Sequence, residues 1–315
     1  MTEESNCQRE LQSPSARPNI VAGVYLLWFL FAPRFLWPLL QLVPRFYDAP
    51  STVWEQRILG NLIFMALIPA LIYFVHIRFF AKSRLGFCDV ISANRVLSFK
   101  NVLYVTIITL AFAFTYSLLG FAIPFIFGSN PVQMPVETMT VFGYILAGGI
   151  IANVAEELIF RGVLWGEYRN SNVSFWKAAL ATGLFFGLIH SGIISVIDTT
   201  FSGIFLYAPL IYFTRSIWAP ILHHFIVNSL WGFSPSNFAS NQTEFEAFLP
   251  TWLTLMSVAV AILIPAAIIC GKKFFALNKH NRIAKKELPK ESLVFKLTYW
   301  ILIVAMVVVI ALLRV

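Results

Sequence analysis

The sequence has few charged residues and few cysteines. Of its 315 residues, 12% are charged and 58% are hydrophobic, whereas a soluble domain carries about 25% charged residues. The polar surface that keeps a protein of this length in water is therefore missing. The cysteines (Cys7, Cys88 and Cys270) are scattered and show no disulfide or metal-binding spacing. These shortages exclude a soluble domain and a disulfide framework, and they indicate an integral membrane protein.

The basic residues do not form the pattern of a nucleic-acid-binding face. The net charge is +8, but the positive side chains cluster in short segments between apolar runs, which is the distribution expected from membrane topology. We therefore expect a lipid bilayer and no nucleic acid among the partners. Residues 1–19 are polar and include acidic side chains, unlike a signal peptide, so the first apolar run is expected to remain as a helix.

Nine apolar runs approach the length of a membrane crossing, for which about 20 mainly apolar residues are needed. They are 20–44, 58–77, 102–128, 140–165, 176–197, 199–214, 216–233, 251–271 and 297–313. The sixth is short, so eight spans are the alternative count. The prediction is an all-α, polytopic membrane helix bundle with about nine transmembrane helices.

The charges between the runs predict the orientation of the bundle. Segments 78–100 and 272–296 are rich in Lys and Arg, whereas 129–139, 198 and 234–250 contain none. Nine spans with a cytoplasmic N-terminus place the basic segments inside and the bare segments outside. Omitting the sixth span breaks this alternation, which favours keeping it.

Two adjacent glutamates, Glu156 and Glu157, lie inside the apolar fourth run. An acidic side chain near the bilayer centre costs roughly 2.5–3.5 kcal/mol, so it indicates a functional site by default. Arg161 follows Glu157 by four residues, and side chains four apart share one face of an α-helix. We expect a Glu157–Arg161 ion pair, with Glu156 facing another direction.

Histidines and an asparagine follow in later apolar runs. His190 ends GLFFGLIH, and WAPILHHFIVNS carries His223, His224 and Asn228. His224 and Asn228 share a helix face, whereas His223 points about 100° aside and is expected to be structural or spare. At about 1.5 Å per residue, Glu156, His190, His224 and Asn228 lie roughly 12–21 Å from the cytoplasmic ends of their helices. A single cytoplasm-facing cavity could gather all four.

Together these groups suit amide hydrolysis by an activated water. A carboxylate and an imidazole can act as general base and proton shuttle, and a second imidazole and an amide can donate hydrogen bonds to an oxyanion. The sequence shows no obvious Ser or Cys nucleophile motif, which argues against a covalent mechanism. His and Glu are also zinc ligands, but HExxH is absent, so metal use stays open.

The three motifs resemble those of a known family. EELIFR, FGLIH and HFIVN occur in this order and are similar to EExxxR, FxxxH and HxxxN of the CPBP family of intramembrane proteases, also called the CAAX-protease or Abi family. The resemblance covers roughly 140–235, which we expect to be the catalytic core. Residues 1–139 are then a polar tail with three accessory transmembrane helices, and 236–315 are C-terminal transmembrane helices with a basic cytoplasmic loop at 272–296.

The resemblance implies roles for the candidate catalytic residues. Glu156, with His190, would activate water, and His224 and Asn228 would stabilise the oxyanion. Both metal-dependent and metal-free, glutamate-dependent mechanisms have been put forward for the family. We favour the metal-free version and expect no cofactor. If a divalent metal such as zinc takes part, its ligands would be Glu156, His190 and His224.

The resemblance also implies supporting residues and a reaction class. Glu157 and Arg161 would hold the site in shape, and Phe186 belongs to the second motif. The implied function is a CAAX prenyl protease-like endopeptidase, of glutamate type or with metalloendopeptidase activity, cutting a membrane-associated protein or peptide. Eukaryotic relatives remove the last three residues after a prenylated cysteine.

Two other functions remain as alternatives. One is a non-catalytic immunity or partner-binding membrane protein of the same fold. The other is a proton-coupled transporter, which is disfavoured because paired, broken hydrophobic segments are not found. We expect a multi-pass protein of a bacterial inner membrane, and the sequence leaves its substrate open.

Overall fold

The computed structural model describes residues 16–28, 95–126, 150, 153–190, 193–231, 242–281 and 290–312. Within these ranges the chain forms eight helical segments and no strand, which confirms the all-α class. The helices are α1 (17–28), α2 (Phe99–Ile126), α3 (Asn153–Glu157, Leu158–Leu164 and Trp165–Asn170), α4 (Phe175–Leu188), α5 (Ile193–Ser202, Gly203–Tyr207 and Ala208–Thr214), α6 (Trp218–Trp231), α7 (Gln242–Asn278, then a 3-10 turn Lys279–Asn281) and α8 (Leu293–Leu312). The middle parts of α3 and α5 are π-helical.

Four described helices are long and apolar enough to cross a bilayer. They are Phe99–Gly120, Ser195–Thr214, Thr243–Asn281 and Leu293–Ala311, and they correspond to the predicted third, sixth, eighth and ninth spans. A helix satisfies all its backbone hydrogen bonds internally, which a hydrocarbon environment requires. The predicted second span, 58–77, lies outside the described residues, as does most of the first. The count of nine spans and the cytoplasmic N-terminus stay predictions.

The predicted boundary between the fifth and sixth spans was wrong. We expected the connection at residue 198 and a short sixth span from 199, whereas α4 ends at Leu188 and α5 begins at Ile193. Apolar residues lie on both sides of the true break, so hydropathy alone could not locate it. The connection at 189–192 also lacks Lys and Arg, so the alternation of basic and bare segments is preserved.

The predicted ends of the eighth span were also wrong. We expected 251–271 between a bare connection and a basic loop, but α7 runs over Gln242–Asn278. Residues 242–250 and 272–281 are therefore helical. Hydropathy reports which residues prefer lipid, not where a helix stops.

The N-terminal extension of α7 is stabilised by burial of one face. Phe245, Leu249 and Trp252 are buried together, with Leu253 and Met256 packed against them. Spacings of three and four residues place these side chains on a single helical stripe. This stripe explains why the helix begins before the most apolar part of its sequence.

The chain divides into two compact units whose segments alternate along the sequence. Unit 1 comprises Met1–Val43, Phe160–Tyr212 and Arg282–Val315, and unit 2 comprises Pro44–Ile159 and Phe213–Asn281. The predicted three-part division of the chain stays a prediction.

In unit 2, α2 packs antiparallel to α7 and also contacts α6. The amides of Asn101, near the start of α2, and Asn278, near the end of α7, donate to each other's oxygens at 3.3 and 2.8 Å. The imidazole of His223 on α6 lies 2.8 Å from the Thr109 hydroxyl of α2. Buried polar groups need such partners, because burying one without a hydrogen bond costs several kcal/mol.

In unit 1, α4 and α5 approach closely through glycines. Gly183 and Gly187 form a GxxxG pair on α4, a pattern that lets helix backbones come together in membranes. A Cβ on Gly187 would lie 2.0 Å from the Thr200 hydroxyl oxygen, and one on Gly203 would lie 2.8 Å from the Gly183 Cα. No side chain larger than hydrogen fits at these positions without a shift of the helices.

A polar network joins α1, α3 and α8 in unit 1. Asn19 donates to the Phe295 carbonyl at 3.1 Å and to the Thr298 hydroxyl at 2.9 Å, and it accepts from the Tyr168 hydroxyl at 3.1 Å. Burial raises the pKa of Tyr168 above its ordinary value, so this phenol stays protonated and acts as a donor. The network holds the first and last described helices on α3.

Candidate active site

Two pairs of polar side chains join the start of α3 to α6 in unit 2. Glu157 Oε1 lies 2.8 Å from His224 Nδ1, and Asn228 Nδ2 donates to Asn153 Oδ1 at 2.6 Å. In each helix the two residues are four apart, and their order is reversed between helices. The segments therefore run antiparallel and meet over one turn. We call these two pairs the polar ladder.

Three of the four residues of the polar ladder are buried, and Asn228 is half-buried. Asn153 and Glu157 are 0% exposed and His224 is 4% exposed, while Glu156 is 8% exposed. Side chains of this kind are rarely buried unless they are hydrogen-bonded, because the loss of hydration must be offset. The ladder therefore fixes both the rotation of the two helices and the positions of the groups that they carry.

His224 lies between the two glutamates. Its Nδ1 contacts Glu157, and its Nε2 lies 3.8 Å from Glu156 Oε2. The Nδ1 side of the ring therefore faces Glu157, and the Nε2 side faces Glu156. The expectation that Glu156 faces another direction was wrong. Adjacent helical positions differ by about 100°, but the two long side chains reach one imidazole from both sides.

His223, by contrast, belongs to helix packing. It is buried, contacts Thr109 of α2, and its ring centroid lies 5.9 Å from that of Phe112. These contacts fit the structural role predicted for it.

Arg161 is held by aromatic rings in unit 1. Its guanidinium carbon lies 4.2 Å from the centroid of the Phe186 ring and 4.1 Å from that of Tyr207, and the residue is 2% exposed. Guanidinium groups stack on aromatic faces through cation–π attraction, which grows when water is excluded. We call these three residues the aromatic cradle.

The geometry of α3 around Arg161 differs from the α-helix assumed in the sequence analysis. Arg161 lies in the π-helical stretch Leu158–Leu164, where hydrogen bonds span five residues instead of four. The four-residue spacing from Glu157 does not have its usual meaning in such a stretch. The Glu157–Arg161 ion pair therefore stays a prediction. Single π-helical turns are frequent at functional sites.

The second motif links the aromatic cradle to His190. The Nδ1 atom of His190 lies 2.8 Å from the Phe186 carbonyl oxygen, and the two rings meet edge to face at 4.8 Å. A carbonyl oxygen only accepts, so Nδ1 carries the proton and Nε2 is the basic nitrogen. Phe186 thus contacts both Arg161 and His190. These two contacts explain why an aromatic side chain suits this position of the motif.

The structure brings some of the predicted residues together. Unit 2 places Glu156, Glu157 and His224 in contact, with Asn228 one turn from the histidine. Unit 1 places Arg161, Phe186 and His190 in a second contact group. The meeting of His190 with Glu156 in one cavity stays a prediction.

Sequence reasoning missed two residues that contact the site. Asn153 lies four residues before Glu157, so the spacing rule that linked His224 to Asn228 would have found it. Tyr207 belongs to no motif, and its place beside Arg161 results from the packing of α5. Only coordinates reveal a partner of that kind.

The candidate metal ligands are divided between the two units, with Glu156 and His224 in unit 2 and His190 in unit 1. Among the residues that the structure describes, no group of three or more His, Cys, Asp or Glu side chains is placed to hold an ion. A catalytic zinc site needs three protein ligands, and neither unit by itself shows such a set among its described residues. The proposed ligand set of Glu156, His190 and His224 stays a prediction, and no step below passes through a metal.

Comparisons with known proteins agree with the motifs. Residues 138–230 match the family model described as Rce1-like, type II CAAX prenyl endopeptidase Rce1-like. A Bacillus subtilis (strain 168) protein named "Putative membrane peptidase YdiL" is 33% identical over 86 residues, or 27% of this chain. The aligned part spans 34% of that relative's length. No solved structure shows significant similarity to the chain.

The matched range contains all three motifs, from Glu156 to Asn228. The family resemblance is thus confirmed for this part of the chain. Residues 138–230 of this all-α membrane protein are similar to the Rce1-like, type II CAAX prenyl endopeptidase family.

Proposed function

We propose that the chain is an intramembrane endopeptidase that hydrolyses a peptide bond in a membrane-associated protein or peptide. The observation that carries this proposal is the buried imidazole of His224 between two carboxylates, 2.8 Å from Glu157 and 3.8 Å from Glu156. Both ring nitrogens of a buried histidine need a polar partner, and here both face a carboxylate. The second carboxylate, on the Nε2 side, supplies a base next to a hydrogen-bond donor.

Glu157 orients His224 and stabilises its positive charge. A carboxylate that accepts from Nδ1 forms a charge-assisted hydrogen bond with the imidazolium. The protonated ring then presents Nε2–H as a donor. A donor of this kind, held in a site that excludes water, stabilises the oxyanion of a tetrahedral intermediate.

Glu156 acts as the general base. The 3.8 Å between Glu156 Oε2 and His224 Nε2 allows a water oxygen about 2.8 Å from the carboxylate and a substrate carbonyl oxygen about 2.8 Å from the ring nitrogen to lie about 3–4 Å apart. This separation suits a near-attack arrangement of water and carbonyl carbon. Glu156 takes a proton as the water oxygen bonds to the carbon.

Asn228 supplies a second oxyanion donor. One of its two amide hydrogens bonds to Asn153, which fixes the plane of the amide, and the other is the proposed donor to the substrate. His190, assigned from its motif, passes the proton from Glu156 to the leaving amine as the C–N bond breaks. The products are a carboxylate and an amine, with one water consumed.

The test is a peptidase assay on the full chain reconstituted in liposomes. The matched family's description names a prenyl endopeptidase, so one fluorescence-quenched peptide carries a prenylated cysteine followed by three residues, and a second lacks the prenyl group. We expect Glu156→Gln to lower kcat/KM by about 10³-fold, since general-base catalysis contributes 10²–10⁴-fold. Cleavage of only the prenylated peptide would assign that substrate class.

The control is Glu246→Gln, an exposed glutamate on α7 that loses the same charge. It should keep wild-type activity and the same melting temperature. Full activity in Glu156→Gln would overturn the proposed mechanism. Protection of cells against a toxin that survives Glu156→Gln would favour the non-catalytic alternative.

A further inference from the structure

One end of unit 2 gathers basic side chains from distant parts of the sequence. The reciprocal hydrogen bonds of Asn101 and Asn278 place the start of α2 beside the end of α7. The exposed cations of these two segments, here called the basic end, are Arg95, Lys100, Lys272, Lys273 and Lys279. Neither 95–101 nor 272–281 contains an acidic residue, so the positive charge is not neutralised within these segments.

Hydrogen bonds from a third segment, residues 213–216, hold the basic end together. Ser216, before α6, donates its hydroxyl to the Arg95 carbonyl. Arg215 donates to the Asn281 carbonyl at 2.6 Å, and Asn281 donates to the Phe213 carbonyl at 2.6 Å. Arg215 has φ of 55°, which is uncommon for a residue other than glycine and persists only where the surroundings hold it. The cations are therefore attached to a fixed framework.

The register of α2 and α7 gives the depth of the lysines. Lys272 lies six residues before Asn278, and Ile107 lies six residues after Asn101, so in an antiparallel pair these two residues are at the same level. That level is about 9 Å inward from the asparagines. The uncharged, apolar part of α7 ends at Gly271, so Lys272 and Lys273 follow directly on that part of the helix. The apolar span of α2 begins at Phe99, about 12 Å farther out than Ile107.

A lysine at that depth extends its ammonium group toward the headgroups while its methylene stem stays in the apolar region. Exposed aromatic side chains surround the same end: Phe99 is 80% exposed, Phe275 is 48% exposed and Trp218 is 45% exposed. Aromatic residues of this kind are enriched where membrane and water meet. Cations and aromatics at one level suit a lipid headgroup better than a soluble anion.

We propose that the basic end binds the phosphate groups of anionic phospholipids in the leaflet that it faces. The proposal does not depend on the peptidase function. Binding would hold the start of α2 and the end of α7 at a fixed depth. Juxtamembrane Lys and Arg residues attract anionic lipids, and each one adds to the attraction.

The test uses native mass spectrometry of the full chain in detergent, titrated with phosphatidylglycerol or phosphatidylcholine. We expect several-fold tighter binding of phosphatidylglycerol to the wild type. Lys272→Gln with Lys273→Gln should weaken that binding about tenfold, whereas Lys290→Gln with Lys296→Gln, an exposed pair on and before α8, should change it less than twofold. Lys272→Arg with Lys273→Arg keeps both charges and should retain the affinity.

Three results would overturn the proposal. They are equal binding of the two lipids, equal losses in the two glutamine pairs, and displacement of phosphatidylglycerol by millimolar inorganic phosphate. The last would assign a site for free phosphate. If the Lys272 and Lys273 glutamine variant does not fold, the salt dependence of the wild type is the test. Electrostatic binding of phosphatidylglycerol must weaken as salt is raised, so binding that is independent of salt would overturn the proposal.

Discussion

The polar ladder of unit 2 and the aromatic cradle of unit 1 both bury charged motif residues, but with different partners. In the ladder, Glu157 meets an imidazole and Asn228 meets an amide, so each polar group has a directional hydrogen bond. In the cradle, Arg161 lies between two rings, whose attraction is less directional. The ladder therefore pairs ionisable groups through directional hydrogen bonds, whereas the contacts of Arg161 with Phe186 and Tyr207 are stacking contacts.

The largest effect that sharpens this comparison is expected from Glu157→Gln. The substitution keeps the shape of the side chain but removes the charge that, in the proposed mechanism, stabilises the His224 imidazolium. We expect kcat/KM to fall about 10²-fold in the peptide assay, within the range for a group that assists proton transfer, with little change in melting temperature. Activity within twofold of the wild type would show that the contact between Glu157 and His224 serves packing alone.

A smaller effect, on stability, is expected from Gly203→Ala in the helix pair beside the cradle. The new methyl group would lie 2.8 Å from the Gly183 Cα and 3.5 Å from Arg161 Nη2. Overpacking of this kind costs about 1–3 kcal/mol, so the melting temperature in detergent should drop. Gly120→Ala is the matched control, because a Cβ there has nothing within 4 Å. Equal melting temperatures for the two variants would contradict the close approach of α4 and α5.

The smallest effect is expected from Asn153→Ala, which removes the acceptor for the Asn228 amide. Without it the amide plane is no longer fixed, and kcat should fall about tenfold, or about 1.4 kcal/mol, while KM changes little. In an Asn228→Ala background the same substitution should have almost no further effect on kcat, since interacting residues are not additive. Additive losses would mean that Asn153 acts only through stability.

Much of the candidate site could be predicted from spacing. Ionisable residues in apolar runs are costly, so Glu156, Glu157 and His224 were identifiable one by one, and the four-residue rule linked His224 to Asn228. The same rule cannot be applied directly between Glu157 and Arg161, because α3 becomes π-helical at Leu158, and that ion pair stays a prediction. A change of helix type changes which residues share a face, and periodicity does not report it.

Helix ends were harder to predict than helices. The apolar content of 176–214 indicated membrane helices but not the break after Leu188. The GxxxG pair Gly183 and Gly187 suggests in retrospect that a second helix packs there. Its partner positions, Thr200 and Gly203, depend on how α5 is rotated, and many rotations of an apolar helix are equally compatible with lipid.

The sequence by itself determined that the protein is all-α and membrane-embedded, because it has too little polar surface for water and too few hydrogen-bonding side chains to satisfy a non-helical backbone in lipid. It also identified the ionisable residues of the candidate site, because placing an ionisable side chain in an apolar membrane segment costs free energy and indicates a function. Tertiary structure alone decided that both glutamates share His224 and that Arg161 stacks between Phe186 and Tyr207. Those contacts depend on the relative rotation and register of helices, which apolar side chains leave nearly free until close packing selects one arrangement.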